Sequence, residues 1–211
     1  MTGESAPGFL PGGARCLYSA EAVTEALEHM ARALTAELRD SRPLVLIVLT
    51  GGLYVGAALT QRLPFALDID FIRVSRYGRG TQPGRLVWRV VPHQALAGRF
   101  VLLVDDVWDE GRTLAELTEW ALRKGARKVR SAVLVHKEPP ARPGALLPVA
   151  GPDYCGLRAG REWIVGWGMD FEENGRNLPA IYVLPGKGPL AEPLNPPPVG
   201  CLPAGGRGHD E

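Results

Sequence analysis

The chain carries no surplus of charge: 24 Lys and Arg stand against 23 Asp and Glu, for a formal net charge of +1. A basic surplus is the usual footprint of nucleic-acid binding, so this balance argues against such a partner. Cysteine is scarce. Cys16, Cys155 and Cys201 are odd in number and widely spaced, which offers neither a disulfide framework nor the paired ligands of a zinc site. Thiols kept reduced inside a cell are the reading that follows. His29, His93, His136 and His209 show no metal-ligand spacing either. Long apolar runs are also missing. Leu44 to Leu49 is strand-sized, far below the roughly 20 residues that cross a bilayer, and the first fifteen residues lack the apolar stretch of a secretory signal. A cytoplasmic protein with no membrane and no nucleic-acid partner is expected.

What is present suits an enzyme domain. With 211 residues, 45% of them hydrophobic, the chain is long enough for one α/β domain with a substantial core. Residues 1–15 include six Gly or Pro and residues 186–211 include twelve, a composition that predicts disordered tails around a domain at 16–185. Within that domain, Ser19 can cap a helix whose apolar Val23, Ala26, Leu27, Met30, Leu34 and Leu38 recur at three- and four-residue steps. Leu44 to Thr50 reads as a strand covered on both faces. Gly51-Gly52 turns it into a short helix ending near Arg62. Residues 67–74 alternate polar and apolar, as a strand with one wetter face does. A Gly- and Arg-rich loop at 76–85 and a returning strand at 86–91 follow. Phe100 to Val104 is another apolar strand, succeeded by a loop, an amphipathic helix at 112–124 and a strand at 129–135. Shorter β-like pieces lie near 154–157, 163–169 and 181–184. This alternation predicts a mainly parallel sheet with helices on both faces.

One segment concentrates the chemistry: Val101-Leu102-Leu103-Val104-Asp105-Asp106-Val107-Trp108-Asp109-Glu110-Gly111-Arg112-Thr113-Leu114. It joins a buried strand to two adjacent carboxylates, a tight glycine-containing turn and a helix start. Ligands of open α/β sheets bind beyond the carboxyl ends of the strands. Here the turn would aim backbone N–H groups outward beside the positive end of the helix, which suits a phosphate. Arg112 can add charge and Thr113 a hydroxyl donor. Asp105 and Asp106 can accept from vicinal ribose hydroxyls or reach a magnesium shell. An Asp-Asp pair alone reads as a helix cap; the whole combination is far rarer.

The segment resembles the phosphoribosyl-pyrophosphate signature of the type I phosphoribosyltransferases. Further matches, from about Tyr18 to Leu184, are similar to the hypoxanthine-guanine branch. Leu49-Thr50-Gly51-Gly52 occupies the place of that family's pyrophosphate loop, Asp70-Phe71-Ile72-Arg73 leads into its lid with Tyr77, and Val135-His136-Lys137 ends the strand carrying its base-recognition lysine. Trp163-Ile164-Val165-Gly166-Trp167-Gly168-Met169-Asp170 resembles its base-stacking and metal segment, and Arg176-Asn177-Leu178-Pro179 its closing element.

The resemblance implies a type I phosphoribosyltransferase-like fold, a twisted and mainly parallel sheet with a small hood, and purine salvage. A 6-oxopurine base and phosphoribosyl pyrophosphate would be the small-molecule substrates, Mg2+ the cofactor, and a homodimer or homotetramer the assembly. It implies Asp109 as general acid/base at purine N7 and Lys137 as donor to purine O6. Trp163 would stack on the base, Ile164 would offer main-chain groups to its edge, and Arg176 would meet pyrophosphate. Asp170 would hold the metal, with Asp105 and Asp106 near it. A 6-amino group would confront the Lys137 ammonium with a second donor, which disfavours adenine. The oxygen donors fit magnesium rather than zinc.

Three positions depart from the family pattern. Glu110 stands where Thr or Ser is usual, and is expected to turn outward, toward Arg112, while its N–H still serves the phosphate. Thr50 replaces a common lysine, in a loop whose family often has a cis peptide, here Leu49–Thr50. Arg76 precedes Tyr77 where Ser is usual. A regulatory nucleotide- or RNA-binding protein on the same fold and a xanthine-preferring transferase remain the alternatives.

Overall fold

The computed structural model describes residues 6–76, 86–138 and 151–185. Its elements run β1 (Arg15–Tyr18), α1 (Ala20–Leu38), β2 (Leu44–Val48), α2 (Gly52–Thr60), β3 (Asp68–Arg76), β4 (Leu86–Val90), β5 (Phe100–Trp108), α3 (Arg112–Arg123), β6 (Lys128–Lys137), β7 (Tyr154–Ala159), β8 (Trp163–Val165) and β9 (Ile181–Leu184). The connections from α1 to β2 (residues 39–43) and from α3 to β6 (residues 124–127) are short, so each helix packs back at once on the sheet.

Six strands form the main sheet in the order β4-β3-β2-β5-β6-β7. All neighbours from β3 to β7 pair in parallel, and only β4 runs antiparallel, at the edge. Strands β2 and β5 lie at the centre, which is why both read as continuous apolar runs. Alternation along them divides the core. Val45, Ile47, Leu102 and Val104 face α1 and α2, whereas Leu44, Leu46, Val101 and Leu103 face α3. The expected α/β fold with helices on both faces is the observed one. Ser19 caps α1 by accepting a hydrogen bond from the Ala22 N–H at 3.3 Å. The predicted stripe from Val23 to Leu38 is buried throughout. Leu34 is fully buried in it, and its loss to Ala would cost about 2–5 kcal/mol.

A second, antiparallel sheet, β1-β9-β8, forms the hood above the carboxyl ends of the parallel strands. Here the reading of residues 1–15 as a tail is corrected for the described part. From Ala6 the chain makes turns closed by Leu10 N–H to Pro7 O and Ala14 N–H to Pro11 O. Leu10 is 7% exposed, in a cluster with Val165, Leu178 and Tyr182. Gly and Pro content reports local propensity only; the hood supplies an apolar face that a single leucine can fill. The expected strand at 163–169 also ends early. After Val165, Gly166, Trp167 and Gly168 take φ of +116°, +50° and +99° and turn the chain back, closed by paired hydrogen bonds between Gly166 and Met169. Residues 1–5, most of the expected loop (77–85) and the expected tail at 186–211 lie outside the described residues.

Candidate active site

Three loops meet at the end of β5. The first follows β2: the Leu49–Thr50 peptide is cis, as the resemblance implied, and Gly51 and Gly52 come next. A Cβ on Gly51 would fall 2.1 Å from Asp106 Oδ2, and one on Gly52 would fall 2.7 Å from the Val104 carbonyl oxygen. Only glycine lets this loop lie against the acidic pair. From the hood side, Gly168 approaches the same loop so closely that a Cβ there would sit 2.0 Å from the Gly51 carbonyl oxygen. Thr50 itself is exposed.

The acidic pair closes β5. Asp105 Oδ1 accepts from the Asp106 N–H at 2.9 Å, and Asp106 Oδ1 accepts from the Val107 N–H at 2.8 Å. Burial, and then the neighbouring Asp106 charge, push the Asp105 carboxyl well above the ordinary carboxylate range. Burial also raises Asp106, against the lowering effects of its hydrogen bonds and of the Arg176 charge. Two adjacent carboxylates at this strand end carry more negative charge than Arg176 offsets. A cation or hydroxyl donors would relieve that.

Next comes the turn. Gly111, at φ +74°, precedes α3, and no side chain caps that helix. Its first N–H groups have no partner within the helix, and Thr113 beside them is half-buried. Glu110 Oε2 lies 3.0 Å from Arg112 Nε, with both side chains about half exposed. The carboxylate is therefore turned to Arg112, as expected.

Beside the acidic pair is a cavity of about 180 Å³, lined by Asp106, Val107, Asp109, Lys137, Trp163, Ile164, Met169 and Asp170. Lys137 ends β6 with its side chain mostly buried, and its Nζ lies 3.5 Å from Oδ1 of the exposed Asp109. Trp163 is 46% exposed. Its Nε1–H donates to the Asp170 carbonyl at 2.9 Å, and its ring meets Phe171 edge-on, so the indole is held while a face stays available. Ile164 is buried beside it. Asp170 Oδ2 accepts from the Glu173 N–H at 3.0 Å and its Oδ1 pairs with Arg176 at 2.7 Å. Arg176 also donates to the Gly168 carbonyl at 2.7 Å, so it locks the hood turn as well as facing the site. A larger, more open groove of about 400 Å³ at Glu28, Arg32, Thr35 and Arg62 contains none of these groups. Size alone does not select the site.

The expected residues Asp105, Asp106, Asp109, Lys137, Trp163, Ile164 and Asp170 thus converge, with Gly51, Gly52, Gly111, Arg112 and Thr113 along the adjoining rim. Tyr77 lies outside the described residues. Asp70, at the start of the lid segment, accepts from the His93 and Gln94 N–H groups and so fastens a loop. Sequence reasoning assigned no role to Val107 and Met169, which line the cavity. Val107 lies between the acidic pair and Asp109, and Met169 immediately before Asp170. Adjacency to charged residues was the signal available for both.

Residues 16–172 match the family model described as a phosphoribosyl transferase domain. A hypoxanthine-guanine phosphoribosyltransferase of Lactococcus lactis is 36% identical over 171 residues, covering 81% of this chain and 90% of the relative. The hypoxanthine-guanine phosphoribosyltransferase of Bacillus subtilis is 31% identical over 172 residues, covering 81% and 92%. Among solved structures, a hypoxanthine phosphoribosyltransferase from Staphylococcus aureus superposes with a TM-score of 0.72 at 28% identity, covering 81% of this chain and 90% of that one.

Proposed function

The chain belongs to the phosphoribosyltransferase family, and on that premise we propose that it joins hypoxanthine or guanine to phosphoribosyl pyrophosphate in purine salvage. The observation that carries the reading is the single cavity where Asp109, Lys137, Trp163 and Asp170 meet.

Each element of the cavity answers to one part of the reaction. Lys137 donates to the purine O6, and an amino group at that position leaves its ammonium facing another donor. Trp163 stacks on the ring. The turn at Gly111–Thr113 receives the 5′-phosphate on backbone N–H groups and the helix end. Asp105 and Asp106 accept from the ribose hydroxyls. As the C1′–oxygen bond to pyrophosphate breaks and the N9–C1′ bond forms, the base loses a proton, and Asp109 is placed at N7 to share or receive it. The chain's contribution is position and exclusion of water, with Arg176 and the loop at Gly51–Gly52 set against the departing pyrophosphate.

Hard oxygen donors at Asp105, Asp106 and Asp170 suit Mg2+. Among the described residues no cluster of three or more His, Cys, Asp or Glu forms a protein cage, which accords with a metal held by one or two carboxylates and substrate oxygens. When bound, the ion would neutralise pyrophosphate charge. Arg176 must then yield part of its hold on Asp170. The reading includes cytoplasmic residence, supported by the odd number and wide spacing of Cys16, Cys155 and Cys201, which offer no disulfide framework. A homo-oligomer is supported by exposed Leu53, Tyr54, Ile69, Phe71 and Val90 along α2 and the β3–β4 edge.

The test mixes purified protein with phosphoribosyl pyrophosphate, Mg2+ and each base in turn. Nucleotide forms from hypoxanthine or guanine and not from adenine. Product from xanthine alone would redirect the specificity, and no product with any base would overturn the activity. Sedimentation reports the assembly; a monomer would remove the oligomer.

A further inference from the structure

Two ring side chains behind the cleft take part in none of the steps above. Trp108 ends β5, is 6% exposed, and belongs to the α3-side cluster with Leu114 and Leu117. In the parallel register it stands opposite His136, the residue before Lys137. The two rings meet edge to face, with centroids 6.3 Å apart and planes at 75°.

The turn is seated directly on that indole. A Cβ on Gly111 would lie 2.3 Å from Trp108 Cε2 and Cζ2 and 2.5 Å from Nε1. The turn backbone at Gly111 therefore rests on Trp108 with no intervening side chain. On the far side His136 is packed by Gly151, where a Cβ would lie 3.1 Å from Cε1. His136 Nδ1 is buried and makes no hydrogen bond among the described residues. An apolar residue would avoid that cost, so a histidine here calls for a reason. Burial and the Arg158 charge hold its pKa below the ordinary histidine value, and the neutral ring serves as a packing group.

Connectivity supplies the consequence. Trp108 and Asp109 are consecutive, and so are His136 and Lys137. The two rings pack across paired strand ends whose next residues, Asp109 and Lys137, approach to 3.5 Å. We propose that Trp108 and His136 are positioning residues, a brace beneath the turn that keeps Asp109 and the phosphate-binding N–H groups in register with Lys137. The brace rests on the purine-transfer reading, since its effect is expressed in the affinities for the two substrates.

Steady-state kinetics and melting temperatures of Trp108→Leu, His136→Leu, Gly111→Ala and the double variant Trp108→Leu/Gly111→Ala test it, with Leu34→Ala as a remote core control. His136→Leu raises KM for hypoxanthine about fivefold or more and leaves KM for phosphoribosyl pyrophosphate within about twofold, because the turn still sits on Trp108. Trp108→Leu raises both. Gly111→Ala raises KM for phosphoribosyl pyrophosphate by roughly tenfold, and the double variant recovers part of that loss, since a smaller residue 108 makes room for the new Cβ. Leu34→Ala lowers the melting temperature and moves neither KM beyond twofold. Variants at 108 and 136 that match the parent in both KM values, or a double variant no better than Gly111→Ala, would overturn the brace alone. An unmodified protein without activity would overturn the transfer reading, and the brace with it. If Trp108→Leu does not fold, His136→Leu against Leu34→Ala decides the question.

Discussion

Gly168→Ala probes the contact that joins the hood to the parallel sheet. Gly168 has φ +99°, and an added Cβ would fall 2.0 Å from the Gly51 carbonyl oxygen and 2.8 Å from its carbonyl carbon. Both obstacles are backbone, so no side chain can swing aside. An alanine at that φ is strained by about 1–3 kcal/mol, and forcing a methyl into packed backbone adds about 1–3 kcal/mol. If the loop holds, the variant is therefore destabilised by about 2–6 kcal/mol. For a domain of this size each kcal/mol moves Tm by roughly 2–4 °C, giving a fall of about 4–24 °C. If the loop yields instead, Gly51 moves by about 1 Å, and the cost appears as a loss of up to roughly 10²-fold in kcat/KM for phosphoribosyl pyrophosphate. Calorimetry and kinetics on one preparation separate the two routes. KM for the base should change least, because Lys137 and Trp163 do not touch Gly51. A variant with parental Tm and parental kcat/KM would refute the claim that this approach is tight.

Asp109→Asn should lower kcat by roughly 10²-fold or more with nucleotide binding retained, as the loss of a positioned acid/base does; an unchanged kcat would remove that role. Lys137→Met should cut kcat/KM for hypoxanthine by roughly 10²-fold while leaving KM for phosphoribosyl pyrophosphate nearly unmoved, and equal losses for both substrates would point to misfolding. Asp105→Asn should raise Tm at neutral pH by a few degrees and abolish activity. Its carboxyl is raised in the folded state, so folding favours the protonated form, and stability falls as pH rises above the unfolded value; no gain in Tm at pH 7–8 would contradict this. Glu37 behaves oppositely. Against the opposing effect of burial, hydrogen bonds from Lys128, Tyr154 and Arg130 lower it to about 2. Its stabilisation is complete above the unfolded value near 4.5 and is lost as pH falls from there toward 2. Glu37→Gln should therefore lower Tm at pH 7 and flatten the acid limb of the Tm profile.

The catalytic elements were legible in the sequence because they are local. Continuous apolar runs mark β2, β5 and β6, and a helical period marks α1, without reference to anything distant. The run from Asp105 to Thr113 is a contiguous strand, turn and helix start whose backbone geometry its own residues dictate. Resemblance then extended the reading to Lys137, Trp163 and Asp170. Less local features escaped. Leu10 was read with its Gly- and Pro-rich neighbours and is in fact buried in the hood. Val107, Met169, Trp108 and His136 have ordinary identities and acquire meaning only through the residues beside them.

Residue order alone determined the parallel α/β architecture and, from Asp105 to Thr113, part of the site's chemical inventory, since both follow from short-range periodicity and turn chemistry; Lys137, Trp163 and Asp170 joined that inventory through the family resemblance. The tertiary structure decided how that inventory is used. Asp109 and Lys137 are 28 positions apart and meet only because β5 and β6 pair in one particular register. Gly51 and Gly168 are further apart still, yet their backbones touch. Burial and charge proximity, which set the state of Asp105 and Asp106 and engage Arg176 with Asp170, depend on distances through space, and those exist only once the chain has folded.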